Sequence, residues 1–265
     1  MTELLHQELT QRIIGSYYSV FNQLGQTYPE NIYERAMMHL LSQQGIPCSR
    51  QDEYEIHYKE RLVGVQRLDI FVAGQVVVEL KVADSIKPIH LAQLLSYLRT
   101  VGKPVGLLCR FGGPDPEFAR RVLTKHDEPI DSDRLLAQDF NYAGLPFAEV
   151  TNEVVAGALE VFRALGPGFI HRIYSNACYQ EYRLRGLDVM PRREFHVFLG
   201  NTDLGTIKLA HLQVNREILV FPVAVSSLTS LRLANLQTWM CSLNSPLGIV
   251  VNFKATRLEP IILRP

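Results

Sequence analysis

The sequence predicts two tandem α/β sandwich domains, each a mixed β-sheet flanked by helices. Three observations predict this. The chain repeats itself at about half its length. Each copy opens with two helical periodicities and then changes to strand periodicity. A turn-rich segment separates the copies. The composition permits two cores: of 265 residues, 47% are hydrophobic and 20% charged. Such a balance excludes a disordered tail, a collagen-like repeat and a small disulfide scaffold.

The repeat holds a single shift of 141 residues over most of each half. Val20-Phe21 falls on Val161-Phe162, Gly25 on Gly166, Tyr33 on Tyr174 and Gly45 on Gly186. Gly64 falls on Gly205, Val82 on Val223 and Ser85 on Ser226. One inserted residue later, Leu91-Ala92 meets Leu233-Ala234, Pro104 meets Pro246 and Phe111 meets Phe253. The expected organisation is a first domain over residues 1–122, a linker over 123–148 and a second domain over 149–265. The linker contains Asp127-Glu128-Pro129 and Gly144-Leu145-Pro146, which is turn chemistry.

Within the first copy, Thr10 is the expected N-cap of a helix carrying Ile13, Ile14, Tyr17, Tyr18 and Phe21 at helical spacing. A second helix runs from about Pro29 to Gln44, with Tyr33, Met37 and Leu41 on its stripe and Gly45 as its stop. Tyr54, Ile56 and Tyr58 then alternate as a strand. Leu68 to Val72 reads as a short strand holding one acid, Asp69. Ala73-Gly74-Gln75 is a turn, and Val76 to Val82 is rich in β-branched residues. Pro88 opens a third helix with Leu91, Leu94, Leu95 and Leu98, and Val105 to Cys109 is a buried strand. The expected order is helix, helix, three strands, helix, strand.

Several function classes are excluded. The net charge of zero signals neither avid nucleic-acid binding nor a membrane surface. The longest apolar run, Ile218 to Val225, is interrupted by Pro222 and is too short for a bilayer. The first eleven residues have no apolar segment of secretory type. Cys48, Cys109, Cys178 and Cys241 are dispersed, so a reduced, cytoplasmic setting is expected. There is no HExxH or CxxC zinc pattern, no phosphate-binding glycine loop and no GxSxG elbow.

The chemistry concentrates on one strand. Alternation puts Val77, Glu79 and Lys81 on one face and Val78, Leu80 and Val82 on the other. A strand this apolar belongs in the middle of a sheet, where an acid and a lysine are costly unless paired or used. A short turn separates Asp69 from this strand, so Asp69 and Glu79 can converge at one sheet edge. Two convergent carboxylates suit a hard divalent cation such as Mg²⁺. A neighbouring lysine can hold a water or stabilise phosphate charge.

Asp69, then Glu79-Leu80-Lys81 after a hairpin, then a helix with Gln93 and Tyr97, resembles the PD-(D/E)xK nuclease superfamily. Leu24-Gly25 followed by Glu30 and Tyr33, with Gln93-Leu94-Leu95-Ser96-Tyr97-Leu98, is more narrowly similar to the GxxExxY protein family within it. The resemblance covers nearly all of the first copy and, weakly, nearly all of the second. The first copy departs at Thr27, where that motif has glycine, and at Leu68, where proline is expected. The resemblance implies a restriction-endonuclease-like fold and Mg²⁺ or Mn²⁺ as cofactor. Asp69, Glu79 and the Leu80 carbonyl would hold the metal and Lys81 would position the attacking water. Glu30 would be an outer acid. Gln93 and Tyr97 would orient the site or touch the phosphate backbone.

The second copy lacks these groups. Asp69 becomes Ala210, Glu79 becomes Val220, Lys81 becomes Pro222 and Glu30 becomes His171. Gln93 becomes Asn235 and Tyr97 becomes Trp239. The apolar frame persists while the chemistry goes, which marks the lost residues as a set. Tyr33 and Tyr174 outlive it and are read as packing residues; Trp239 is read as core. Residues 1–141 carry 15 Lys and Arg against 18 Asp and Glu, whereas residues 142–265 carry 12 against 9. Arg183, Arg185, Arg192 and Arg193 cluster in the second copy and are candidates for weak phosphate contact. The expectation is an intramolecular pseudo-dimer that hydrolyses nucleic-acid phosphodiesters through its first copy. A non-enzymatic nucleic-acid- or protein-binding module with a relic site is the alternative, and a nucleotide-binding regulatory domain a more remote one. The sequence does not set a homo-oligomeric state.

Overall fold

The computed structural model describes residues 5–123, 142–231 and 233–265, except for the side chains at 193, 195, 207–210 and 230. Most of the expected linker therefore lies outside the described residues. The chain forms two compact units: Met1–Glu55 with Val65–Glu128, and Ile56–Gly64 with Pro129–Pro265. Ile56–Gly64, which the repeat assigns to the first copy, belongs to the second unit.

In the first unit, α1 (Gln7–Leu24) and α2 (Glu30–Gln43) bury Ile13, Tyr17, Val20, Tyr33, Met37 and Leu41 on one side of the sheet. Thr10 does not cap α1, which begins three residues earlier. Its hydroxyl is turned inward and donates back to the His6 and Gln7 carbonyls at 3.0 and 2.9 Å, a use open to threonine inside a first turn. Gly45 ends the second helix with φ +70°, where its backbone N–H donates to the Ser42 carbonyl and that of Ile46 to Leu41.

The strands number more than expected. Cys48–Arg50 (β1), Ile70–Val72 (β4), Val76–Val82 (β5), Val105–Phe111 (β6) and Glu117–Val122 (β7) form a sheet in the order β1-β4-β5-β6-β7. Only the β5–β6 pair in it is parallel. Glu53–Tyr58 (β2) and Arg61–Arg67 (β3) pair separately as a hairpin. Sequence reading missed β1, β3 and β7, whose residues, Val63 apart, are half-buried or exposed and so carry no clean apolar period. Pro88 opens α3 (Pro88–Val101), which covers the other face of the sheet.

The second unit repeats this plan. Helices α4 (Ala148–Leu165) and α5 (His171–Leu184) match α1 and α2 at the 141-residue shift, end for end. Its sheet runs β12-β11-β10-β9-β8, where β8 is Val189–Leu199, β9 Thr202–Val214, β10 Ile218–Val223, β11 Leu247–Asn252 and β12 Ile261–Leu263. Helix α6 (Leu233–Ser242) buries Trp239 against Leu219, Phe221 and Val250. One local device recurs in both units. The Tyr33 hydroxyl donates to the Gly25 carbonyl at 2.9 Å and accepts from the Tyr28 N–H, and its ring stacks on Phe111 at 3.8 Å. Tyr174 does the same with Gly166 at 2.7 Å, Phe169 N–H and Phe253 at 4.4 Å. The packing role expected for both tyrosines is what the structure shows.

Candidate metal and catalytic site

The site begins with an interruption of the sheet. Strands β4 and β5 pair as far as Ile70 opposite Val78. Asp69 is not on a strand, as expected from sequence, but in a bend just before β4. The bend takes the preceding chain away from β5 and strips the Leu80 N–H of a strand partner. The Asp69 carboxylate replaces it, with Oδ2 accepting from Leu80 N–H at 2.8 Å. Two residues on, the Val82 N–H faces the same way and donates to Glu30 Oε1, from the first turn of α2, at 3.1 Å. The two acids are therefore fixed by main-chain donors of one strand.

Glu79 and Lys81 lie on the α3 face of β5, opposite the Val78 and Leu80 core face, as strand alternation predicts. Close approach of α3 depends on Gly106 of β6: a Cβ there would meet Leu94 Cδ1 at 2.8 Å. That approach lets Gln93 Nε2 donate to Glu79 Oε1 at 3.2 Å and to the Tyr97 hydroxyl at 2.7 Å. Lys81 Nζ donates to Glu79 Oε1 at 2.6 Å and to the Leu80 carbonyl at 3.1 Å. Asp69, Glu79, Leu80, Lys81, Gln93, Tyr97 and Glu30 are thus joined through β5 and its neighbours.

The electrostatics follow from burial. Burial pushes the Asp69 carboxyl up to about 6, against the pull of Lys81 and the Leu80 N–H. Burial and the neighbouring Asp69 push Glu79 up to about 8, again against Lys81. Burial alone would lower Lys81, but Glu79, Asp69 and Glu30 outweigh it and hold the ammonium well above its ordinary value. Lys81 therefore remains a cation and a donor.

Sequence reasoning missed Glu34, one turn beyond Glu30. It is 4% exposed, pairs with Arg50 at 2.9 Å and accepts from Gln51 at 3.2 Å. Its charge also raises Asp69. The signal was present: at the 141-residue shift Glu34 becomes Ser175, so it disappears with the other acids.

The donor set fits a hard divalent cation. It offers carboxylate and carbonyl oxygens from Asp69, Glu79 and Leu80. Glu79 Oε2 is buried with no hydrogen-bond partner among the described residues, a costly state that a cation relieves. Lys81 already places positive charge on Glu79 Oε1 and the Leu80 carbonyl. Among the described residues no group of three or more His, Cys, Asp or Glu is arranged around a metal position. Mg²⁺ requires only one or two carboxylates when waters complete its shell.

In the second unit the corresponding frame is built without these groups. Val220 is fully buried, and Pro222 stands in β10 opposite Val251. With no acid at position 210, β9 runs unbroken from Thr202 to Val214. Of the arginines, Arg185 is held by Glu181 and Glu153, both at 2.9 Å, and Arg192 by Gln213 at 3.0 and 2.8 Å. Arg183 is exposed and lies over the Tyr179 ring at 5.8 Å. The Arg193 side chain lies outside the described residues.

A family described as the PD-(D/E)XK nuclease superfamily matches residues 7–122 and again 148–264. The chain belongs to that superfamily and carries its fold twice in tandem. No curated protein matches the chain. A solved structure titled "Crystal structure of SSO0001" is similar at 20% identity, with a TM-score of 0.28. The similarity covers 46% of this chain and 61% of that one. Among the described residues no helix is long and apolar enough to cross a membrane.

Proposed function

We propose that the chain is a Mg²⁺- or Mn²⁺-dependent nuclease that hydrolyses phosphodiester bonds through its first unit. The second unit serves as a pseudo-nuclease scaffold in a cytoplasmic protein, and residues 1–122 and 149–265 correspond to the two copies. The observation that carries this reading is the set gathered on β5: Asp69 on the Leu80 N–H, Lys81 and Gln93 on Glu79, and a buried Glu79 Oε2 left unbonded. The GxxExxY-like pattern around Glu30 and Tyr33 supports the narrower family assignment.

A divalent ion held by Asp69, Glu79 and the Leu80 carbonyl would supply an activated water and offset phosphate charge. The protein's own groups do the rest. Lys81 stays protonated, so its Nζ acts as a donor to a water or a phosphate oxygen and not as a base. Here it is held by Glu79 Oε1 and the Leu80 carbonyl, the oxygens that would also hold the ion, so a bound cation would compete with it for them. Gln93 orients Glu79 and is itself fixed by Tyr97. Glu30 and Glu34 add negative charge that favours cation binding. Arg183, exposed beside Tyr179, is the arginine best placed for weak phosphate contact; Arg185 and Arg192 have protein partners.

The test is an assay on single- and double-stranded DNA and RNA, with Mg²⁺, Mn²⁺ or EDTA. Wild type should cut at least one substrate only with metal, and Lys81→Ala should lower the rate at least about a hundredfold. Equal residual activity in both proteins would contradict the reading and favour a binding module with a relic site.

A further inference from the structure

The inference starts from what the two equivalent hairpins do. The tip of β2–β3, Ile56–Gly64, packs within the second unit, where Tyr58 and Val63 are 1% and 3% exposed. Its seat is α5. Asn176 Nδ2 donates to the Val63 carbonyl at 2.7 Å, and the Tyr58 hydroxyl donates to Glu181 at 2.8 Å. A Cβ on Gly64 would meet Ile173 Cγ1 at 2.7 Å, so glycine permits the close approach. A tip of this fold is thus shaped to lie on the second helix of a copy of the fold.

The equivalent tip of β8–β9 carries exposed apolar side chains. Phe198, Leu199 and Leu204 are 59%, 72% and 60% exposed. Leu199 and Leu204, one from each strand of the hairpin end, are both large, apolar and exposed, which marks an interaction site more than a scattered surface leucine does. At the 141-residue shift, Leu199 corresponds to Tyr58, Leu204 to Val63 and Gly205 to Gly64. The helix that corresponds to α5 is α2. There Glu181 is replaced by Leu40, and Asn176 by the exposed Arg35. The Tyr58–Glu181 polar pair therefore becomes Leu199 and Leu40, with both members apolar. Arg35 keeps a donor where Asn176 had one. The changes on hairpin and helix match each other.

We propose that the β8–β9 tip is a docking arm that seats on α2 of a second copy of this chain, with Arg35 donating to the Leu204 carbonyl. Reciprocal exchange of two arms gives a closed twofold dimer. The proposal does not depend on the nuclease reading.

Sedimentation velocity on the full chain tests it over a wide concentration range. Wild type should show a concentration-dependent monomer–dimer equilibrium. Leu204→Lys faces Arg35 with a like charge and should weaken association at least about tenfold. Leu204 is exposed, so an unchanged circular dichroism spectrum is expected. Adding Arg35→Glu to Leu204→Lys should restore association. Wild type that remains monomeric at every concentration would overturn the proposal. So would a Leu204→Lys dimer as tight as wild type, or a double variant no tighter than the single one.

Discussion

The Leu80 and Val82 N–H groups, freed by the bend at Asp69, take carboxylates where a continuous sheet would supply carbonyls. Asp69 and Glu30 are therefore positioned by the main chain of β5. Glu79 is positioned by Lys81 and Gln93, but one of its oxygens has no partner among the described residues. The resulting strain has a definite sign. Asp69 and Glu79 have folded-state values raised to about 6 and about 8. A raised carboxyl favours folding in its neutral form. The contribution is complete below the ordinary carboxylate range and is lost as pH rises through those two values. Metal-free protein should therefore lose thermal stability between about pH 5 and about pH 9, relative to Asp69→Asn/Glu79→Gln. Saturating Mg²⁺ should reverse the loss, because it binds the anionic forms. Differential scanning calorimetry across that range measures both effects, and a flat difference between the two proteins would contradict this assignment. At this scale the sequence was informative: alternation placed Glu79 and Lys81 on one face. It did not show Glu34, because a second acid one helical turn from Glu30 reads equally well as a solvated residue.

The elements carry these residues through packing. Helix α3 approaches the sheet across Gly106, and this brings Gln93 to Glu79. Alanine at 106 needs the Leu94 side chain to shift, since a Cβ would lie 2.8, 3.1 and 3.2 Å from its Cδ1, Cγ and Cδ2. Valine adds two more methyl groups and pushes the helix outward. Gly106→Val should cost about 1–3 kcal/mol by overpacking, read from urea denaturation, and should weaken Mn²⁺ binding more than Gly106→Ala does. The helices were legible because Tyr17, Tyr33, Leu94 and Leu98 fall on buried stripes at helical spacing. Thr10 misled because a buried threonine can satisfy its hydroxyl within the helix. Short strands such as β1 and β7 were not legible, since half-buried residues have no strong alternation. The bend at Asp69 was hidden for another reason. Leu68 and Ile70 to Val72 are all apolar, and nothing local shows where pairing stops.

At the scale of the molecule, the repeat was the most legible feature. Two helices match end for end at one shift, and Tyr33–Phe111 has its counterpart in Tyr174–Phe253. The repeat could not show that Ile56–Gly64 belongs to the second unit. That depends on Tyr58, Lys59 and Glu181, which are more than 120 residues apart in sequence, with Tyr58 and Lys59 at 2.8 and 2.6 Å from Glu181. The central claim is that a doubled fold keeps one working metal site, in its first unit. Calorimetric titration of metal-free protein with Mn²⁺ tests it most directly. Wild type should bind one ion per chain, with protons released as Glu79 ionises, and Asp69→Asn or Glu79→Gln should abolish that binding. Two ions per chain, or one ion bound equally well by either variant, would contradict the claim.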